Sequence, residues 1–194
     1  MSDTDREIIQ RVLDGDVRSF GILIDKHKAK AMMLAIRILK NREDAEEALQ
    51  DAFVRAYRAL PTFEWKSSFS TWLYRIVYNT CATAIGKRNG KHNLSLDIVD
   101  EDGPQMEIES DVLQPDMRLE SDEFSKIVCE EVEKLPSAYG STFTLFTIQE
   151  MSYEEIVQVT GLPLGTVKAR LFRARTILRK AIVNRLDYYP VLKV

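Results

Sequence analysis

The chain is poor in the residues that enzyme chemistry leans on. Its 194 residues include two histidines, His27 and His92, and two cysteines, Cys81 and Cys129. The cysteines lie far apart and outside any metal-ligand spacing, so reduced, buried thiols are expected rather than a zinc site or a disulfide frame. There is no glycine-rich phosphate loop and no metal-spaced cluster, which argues against an enzyme acting on nucleic acid. Glu46, Glu47 and Asp51 come nearest to a carboxylate site, and they read better as a solvated or partner-facing helix row. No catalytic residue, metal or cofactor is expected.

Long apolar runs are missing too. Nothing approaches the roughly 18 apolar residues of a membrane span. The opening Met-Ser-Asp-Thr-Asp-Arg-Glu is acidic where a secretion signal would be basic and then apolar, so a cytoplasmic location is expected. Strand-like alternation does not persist anywhere, whereas helical periodicity does. At 45% hydrophobic and 29% charged residues, the composition is that of an ordinary globular protein. The fold class that follows is all-α.

The net charge of −3 hides an uneven distribution. Residues 1–90 carry +3, residues 91–133 carry −11, and residues 134–194 carry +5. Two mildly basic modules flanking an acidic stretch suggest two nucleic-acid contacts separated by a segment that avoids DNA or imitates it. Gly90, Gly103, Pro104, Pro115 and a run of acids with few apolar anchors mark the middle stretch as a linker. The expected organisation is a helical domain over 1–90, an acidic linker over 91–120 and a second helical domain over 121–194.

The most informative segment runs from Gly161 to Arg175. Ser152 and Glu155 are placed as a capping box for a short helix to Val159. Gly161 makes the turn, and a second helix follows. Such a helix-turn-helix places its second helix in the DNA major groove. At 100° per residue, Val167, Leu171, Ala174 and Leu178 share one apolar stripe. Opposite lie Gly165, Ala169, Phe172 and Thr176, flanked by Thr166, Lys168 and Arg173. Small groups at Gly165 and Ala169 let the backbone come close to bases. Lys168 and Arg173 can donate to guanine or phosphate, and Phe172 can touch a thymine methyl. Arg170, Arg175 and Arg179 sit at angles better suited to phosphates.

In the first module, helices are expected over Asp5–Asp14, from about Phe20 to Lys40, over Arg42–Leu60 and over Ser70–Lys87, with Gly15 and Pro61 as stops. His27 falls at the edge of an apolar face. The third helix carries Ala45, Ala48, Leu49, Ala52, Phe53, Ala56, Tyr57 and Leu60 on one face, and its other face carries Glu47, Gln50, Asp51, Val54 and Arg58. Phe63 and Trp65 in the following loop, with Trp72, Tyr74, Arg75, Tyr78 and Asn79 on the fourth helix, could form a platform for unpaired bases or could pack as core. A base stacked on an aromatic ring is worth roughly 1–3 kcal/mol. In the second module a helix is expected from about Leu119 to Leu135, another over Ala138–Gln149, then the helix-turn-helix.

Three stretches together resemble a bacterial sigma factor of the group 4, extracytoplasmic-function (ECF) type, reduced to its second and fourth conserved regions. Asp44-Ala-Glu-Glu-Ala-Leu-Gln-Asp-Ala-Phe53 resembles region 2.2. Phe69-Ser-Thr-Trp-Leu-Tyr-Arg-Ile76 with Asn79 resembles regions 2.3 and 2.4. Leu135-Pro136, Met151-Ser-Tyr-Glu-Glu-Ile156 and Gly161–Arg175 resemble region 4.

The resemblance implies three partners: core RNA polymerase, promoter DNA and an anti-sigma factor. It implies that Glu47, Gln50, Asp51 and Val54 meet the polymerase. It assigns the melted −10 strand to Phe63, Lys66, Trp72, Tyr74, Arg75 and Asn79, and the −35 duplex to Thr166, Lys168, Ala169, Arg170, Phe172 and Arg173. Two departures stand out. Asn79-Thr-Cys-Ala-Thr-Ala84 lacks an Asp and arginines common in the family, and Tyr139-Gly-Ser-Thr142 lacks its usual charges. A two-module regulator whose first domain senses or dimerises is the main rival, and co-purification with core polymerase separates the two.

Overall fold

A computed structural model describes residues 4–88 and 122–188. The expected linker 91–120, with His92 and the approach from Leu119, lies outside the described residues. Among the described residues eight α-helices run in order: α1 (Asp5–Leu13), α2 (Val17–Leu39), α3 (Arg42–Ala59), α4 (Phe69–Arg88), α5 (Asp122–Lys134), α6 (Ser137–Thr147), α7 (Tyr153–Thr160) and α8 (Leu164–Tyr188). No strand occurs among the described residues.

Local chemistry sets the helix ends. Thr4 and Glu7 form a capping box on α1, with the Thr4 amide donating to Glu7 Oε2 at 2.9 Å. The Asp16 carboxylate caps α2, accepting from the Arg18 amide at 3.1 Å and the Ser19 hydroxyl at 2.7 Å. Lys40 closes α2 in the left-handed conformation, φ 57°, and Asn41 caps α3 by accepting the Asp44 amide at 3.0 Å. After α3 a single 3₁₀ turn, Leu60–Thr62, places Pro61 where its missing N–H costs nothing.

The core is continuous across the expected domain boundary. Leu34, Ala35, Ile38, Ala48, Leu49, Tyr74, Val77 and Cys81 of α2–α4 belong to one buried cluster with Leu145, Met151, Ile156, Val159, Val167 and Leu171 of the second module. α6 packs on α2, and α7 on α4. A second cluster joins Ile8, Ile9, Phe20, Leu23, Leu60, Phe63 and Phe69 around α1 and the turn after α3. A third joins Val132, Leu135, Tyr139, Ala174 and Leu178, so that α5 and α6 support α8. The Arg185 guanidinium fastens the far end of α8 to Glu130 at 2.6 Å and Glu131 at 3.0 Å. Of the two thiols, only Cys81 is buried, and burial pushes it up to about 12, which leaves it inert. Cys129 is exposed, contrary to expectation, because it falls on the outer face of α5.

His27 sits where the periodicity put it, buried among Phe69 and Tyr74, with Nε2 3.2 Å from Asp5 Oδ2. Burial pulls its pKa below the ordinary 6.5, and the Asp5 carboxylate offsets only part of that. The unfolded chain therefore takes up this proton first on acidification. The stability tied to neutral His27 is full above about 6.5 and is lost as pH falls from there through the lowered folded value. Thermal melts between pH 7.5 and 5 should show a falling midpoint, with a shallower slope in His27→Gln. An unchanged slope in that variant would remove His27 from the pH dependence.

Candidate nucleic-acid interface

The helix-turn-helix forms by local rules. The Ser152 amide donates to Glu155 Oε2 at 2.9 Å, and the Glu155 amide donates to Ser152 Oγ at 3.2 Å, completing the box at the start of α7. Gly161 takes φ 74°, a left-handed turn that favours glycine, and its amide closes on the Val157 carbonyl at 2.8 Å. Val167, Leu171, Ala174 and Leu178 are all buried. α8 is much longer than a recognition helix needs, because its second half packs against α5 and α6.

On the outward face of α8, Lys168 and Phe172 are exposed, with Phe172 at 46%. Thr166, Ala169 and Arg173 are half-buried beside them. Arg173 Nη1 donates to the Tyr139 hydroxyl at 3.3 Å, so α6 holds this guanidinium near the reading face. A Cβ added at Gly165 would meet nothing within 4 Å, which leaves that stretch of backbone open to a groove. Arg175 is exposed and lies 5.2 Å over the Phe146 ring. Arg170 differs from expectation. It is buried, since it sits on the flank of the apolar stripe, so its side chain is not offered to phosphate in this conformation.

The second surface is the loop after α3 and the face of α4 beyond it. Phe63 is buried, with ring centroids 4.7 Å from Trp65, 5.1 Å from Trp72 and 6.1 Å from Phe69. Trp65 is exposed, takes a left-handed φ of 59°, and lies under the Arg6 guanidinium at 5.4 Å. A left-handed tryptophan is uncommon and is held by this ring stack. A cleft of about 270 Å³ opens beside it, lined by Phe63, Lys66, Thr71, Trp72 and Arg75, with Gln158 contributed by α7. Lys66, Arg75 and Asn79 are exposed and Trp72 half-buried.

Tyr74 departs from its expected role. It is 2% exposed, and burial raises its hydroxyl to about 12, so here it is a core residue and offers nothing to a strand. Tyr78 is buried in the same way. Arg6, Thr71 and Gln158 were not among the sequence candidates. Gln158 reaches the cleft from α7 and Arg6 reaches Trp65 from α1, elements that no local pattern connects to this loop, whereas Thr71 stands beside Trp72 on α4.

A third surface lies on α3, where Glu47, Gln50, Asp51 and Val54 are all exposed, Val54 at 49%. No set of three or more His, Cys, Asp or Glu residues could hold a metal ion among the described residues. Nor is any described helix long and apolar enough to cross a membrane.

These features describe a helical protein with a helix-turn-helix whose second helix has an open outward face, and with a separate aromatic cleft beside α4 in which Lys66 pairs with Glu64. Two family models match the chain: "Sigma-70 region 2" over residues 23–90 and "Sigma-70, region 4" over residues 128–178. The chain is 34% identical to the RNA polymerase sigma-H factor of Pseudomonas aeruginosa over 183 residues, 93% of this chain and 94% of that one. It is 35% identical to the ECF RNA polymerase sigma factor SigW of Bacillus subtilis over 176 residues, 90% of this chain and 94% of that one. The protein belongs to the sigma-70 family, as an ECF sigma factor.

Two solved structures share its fold. CnrH in complex with the cytosolic domain of CnrY has a TM-score of 0.60 at 23% identity, covering 94% of this chain and 99% of CnrH. The sigma factor RpoE in complex with the anti-sigma factor NepR, from Bartonella quintana, has a TM-score of 0.57 at 23% identity, covering 85% and 97%.

Proposed function

We propose that this chain is a promoter-specificity subunit that binds core RNA polymerase and directs initiation at promoters with −35 and −10 elements. The observation that carries the reading is the outward face of α8, where Lys168 and Phe172 stand exposed beside an unobstructed Gly165. In this reading residues 1–90 form the polymerase- and −10-binding domain, 91–120 the acidic linker and 121–194 the −35-binding domain. The −35 contacts come from Thr166, Lys168, Ala169, Phe172 and Arg173. The −10 strand stacks and pairs with the group Phe63, Lys66, Trp72, Arg75 and Asn79, with Tyr74 serving as their support. Arg170 contributes to phosphate only if its side chain swings out of the module.

The polymerase supplies the chemistry, so the chain itself acts as a non-enzymatic subunit in the cytoplasm. Control by an anti-sigma factor belongs to the same reading.

The α3 face gives the direct test. A charge at exposed Val54, Val54→Asp, should leave the fold intact and reduce capture of core polymerase at least tenfold in a pull-down. Undiminished capture would move the polymerase contact elsewhere on the chain.

A further inference from the structure

Trp65 is the strained point of the loop after α3. It takes a left-handed φ of 59°, where a bulky side chain is an outlier, and such a backbone persists only when its surroundings hold it. Its indole is 43% exposed and forms no part of the cleft wall. Its two neighbours do. Glu64 and Lys66 both line the cleft, and they join as an ion pair across the turn at Trp65. The conformation of a residue outside the cleft therefore places two charged residues on its wall.

Two contacts hold the indole. The Phe63 ring lies 4.7 Å away between centroids, and the Arg6 guanidinium stands 5.4 Å over the indole. Arg6 comes from α1, ahead of the residues 23–90 that match region 2. Its seat is built rather than incidental. Ile8 and Ile9 are fully buried in one cluster with Leu60, Phe63 and Phe69, so α1 and the base of the loop share a core. Asp5, beside Arg6, is tied to α2 by Lys26 Nζ at 2.6 Å and by His27 Nε2 at 3.2 Å. A helix pinned at these points brings the Arg6 guanidinium to the indole with little freedom left to lose.

We propose that Arg6 is a positioning residue for strand capture: its guanidinium holds Trp65 in the left-handed turn and so keeps Glu64 and Lys66 in place on the cleft. The proposal rests on the reading of that cleft as a strand site. Arg6 acts through Trp65 and not on the strand itself. The expected size is that of an exposed cation–π contact, about two- to fivefold in an equilibrium.

Two measurements test it. The first uses the full chain carrying Trp72→Phe, which leaves Trp65 as its one tryptophan. Acrylamide quenching of the emission then reads how firmly the indole is seated. Arg6→Ala should raise the quenching constant about twofold, whereas Arg6→Lys, which keeps a cation, should stay near the native value. Far-UV circular dichroism should be the same in all three. Unchanged quenching in Arg6→Ala would overturn the proposal.

The second uses holoenzyme assembled from core polymerase and the full chain, on a forked promoter fragment selected from a randomised pool, with its −10 region single-stranded. Arg6→Ala should weaken binding about two- to fivefold, with binding to the −35 duplex unchanged, and Arg6→Lys should recover most of the loss. In a Trp65→Gly background the left-handed turn carries no strain, so Arg6→Ala should have no further effect. A loss that persists there would make Arg6 a direct strand contact or a folding residue, and would overturn the positioning role. Lys66→Ala separates the two readings. If it weakens binding to the fork and Arg6→Ala does not, the strand site stands without Arg6 and the proposal falls. If neither variant changes binding to the fork although Arg6→Ala loosens Trp65, the cleft is no strand site, and the proposal falls with that reading.

Discussion

Replacing Lys168 by alanine should weaken binding to the cognate −35 duplex by about 1–3 kcal/mol, with the loss much smaller on scrambled duplex. Lys168 is exposed on the flank of α8, beside the outward face and outside the buried Val167–Leu171–Ala174 stripe, so truncation removes a donor and leaves the fold alone. Arg173 should behave similarly but with a second component. Its guanidinium is held by the Tyr139 hydroxyl at 3.3 Å, so Tyr139→Phe should weaken cognate binding by loosening the arginine while leaving its charge in place. Electrophoretic or anisotropy titrations at fixed salt, with cognate and scrambled duplexes in parallel, measure these differences. Equal losses on both duplexes would reduce Lys168 and Arg173 to phosphate contacts, because backbone contacts carry no sequence information.

Leu171→Ala should have the opposite character, a loss of about 2–5 kcal/mol in stability with no specificity of its own. Leu171 is 1% exposed and belongs to the cluster in which Ile156 and Val159 of α7 meet Val167 of α8. Truncation leaves a cavity in the buried cluster that Leu171 shares with α7 and with α2–α4. The melting midpoint should fall, and all duplex binding should fall with it at temperatures where the module is frayed. Denaturant titration followed by circular dichroism reads the stability directly. A change under 1 kcal/mol would mean that this core is more plastic than its burial implies.

What could be read in the sequence divides along a physical line. The capping box of Ser152 and Glu155, the turn at Gly161, the apolar stripe of α8 and the stops at Gly15 and Pro61 depend on neighbours within about four positions, and all of them are present. The first helix begins at Asp5 as expected, whereas α2 begins at Val17, three residues before the expected Phe20, because its cap Asp16 lies outside the apolar periodic pattern. Burial of Tyr74, Tyr78 and Arg170 was not legible, since it depends on which helix crosses which. Trp72 was legible as a mixed case, and it is half-buried against Phe63 and Phe69.

The hydroxyl-rich Tyr139–Thr142 stretch lacks the charges usual in the family, and no local pattern explains why. α6 packs against α2 with Ser141 and Thr142 buried, so charges at this stretch would be buried. The contacts made by Arg6 and Gln158 at the strand cleft likewise join positions far apart in the chain, and no local signal marks them.

The central claim is that this chain gives core polymerase a promoter preference. Run-off transcription on a pooled promoter library, with purified core polymerase and with or without this chain, tests it most directly. The account predicts transcripts that appear only when the chain is added and that share −35 and −10 sequences at a fixed spacing. An unchanged transcript pool, together with no retention of the chain by core polymerase, would contradict the account and leave an ordinary DNA-binding regulator in its place.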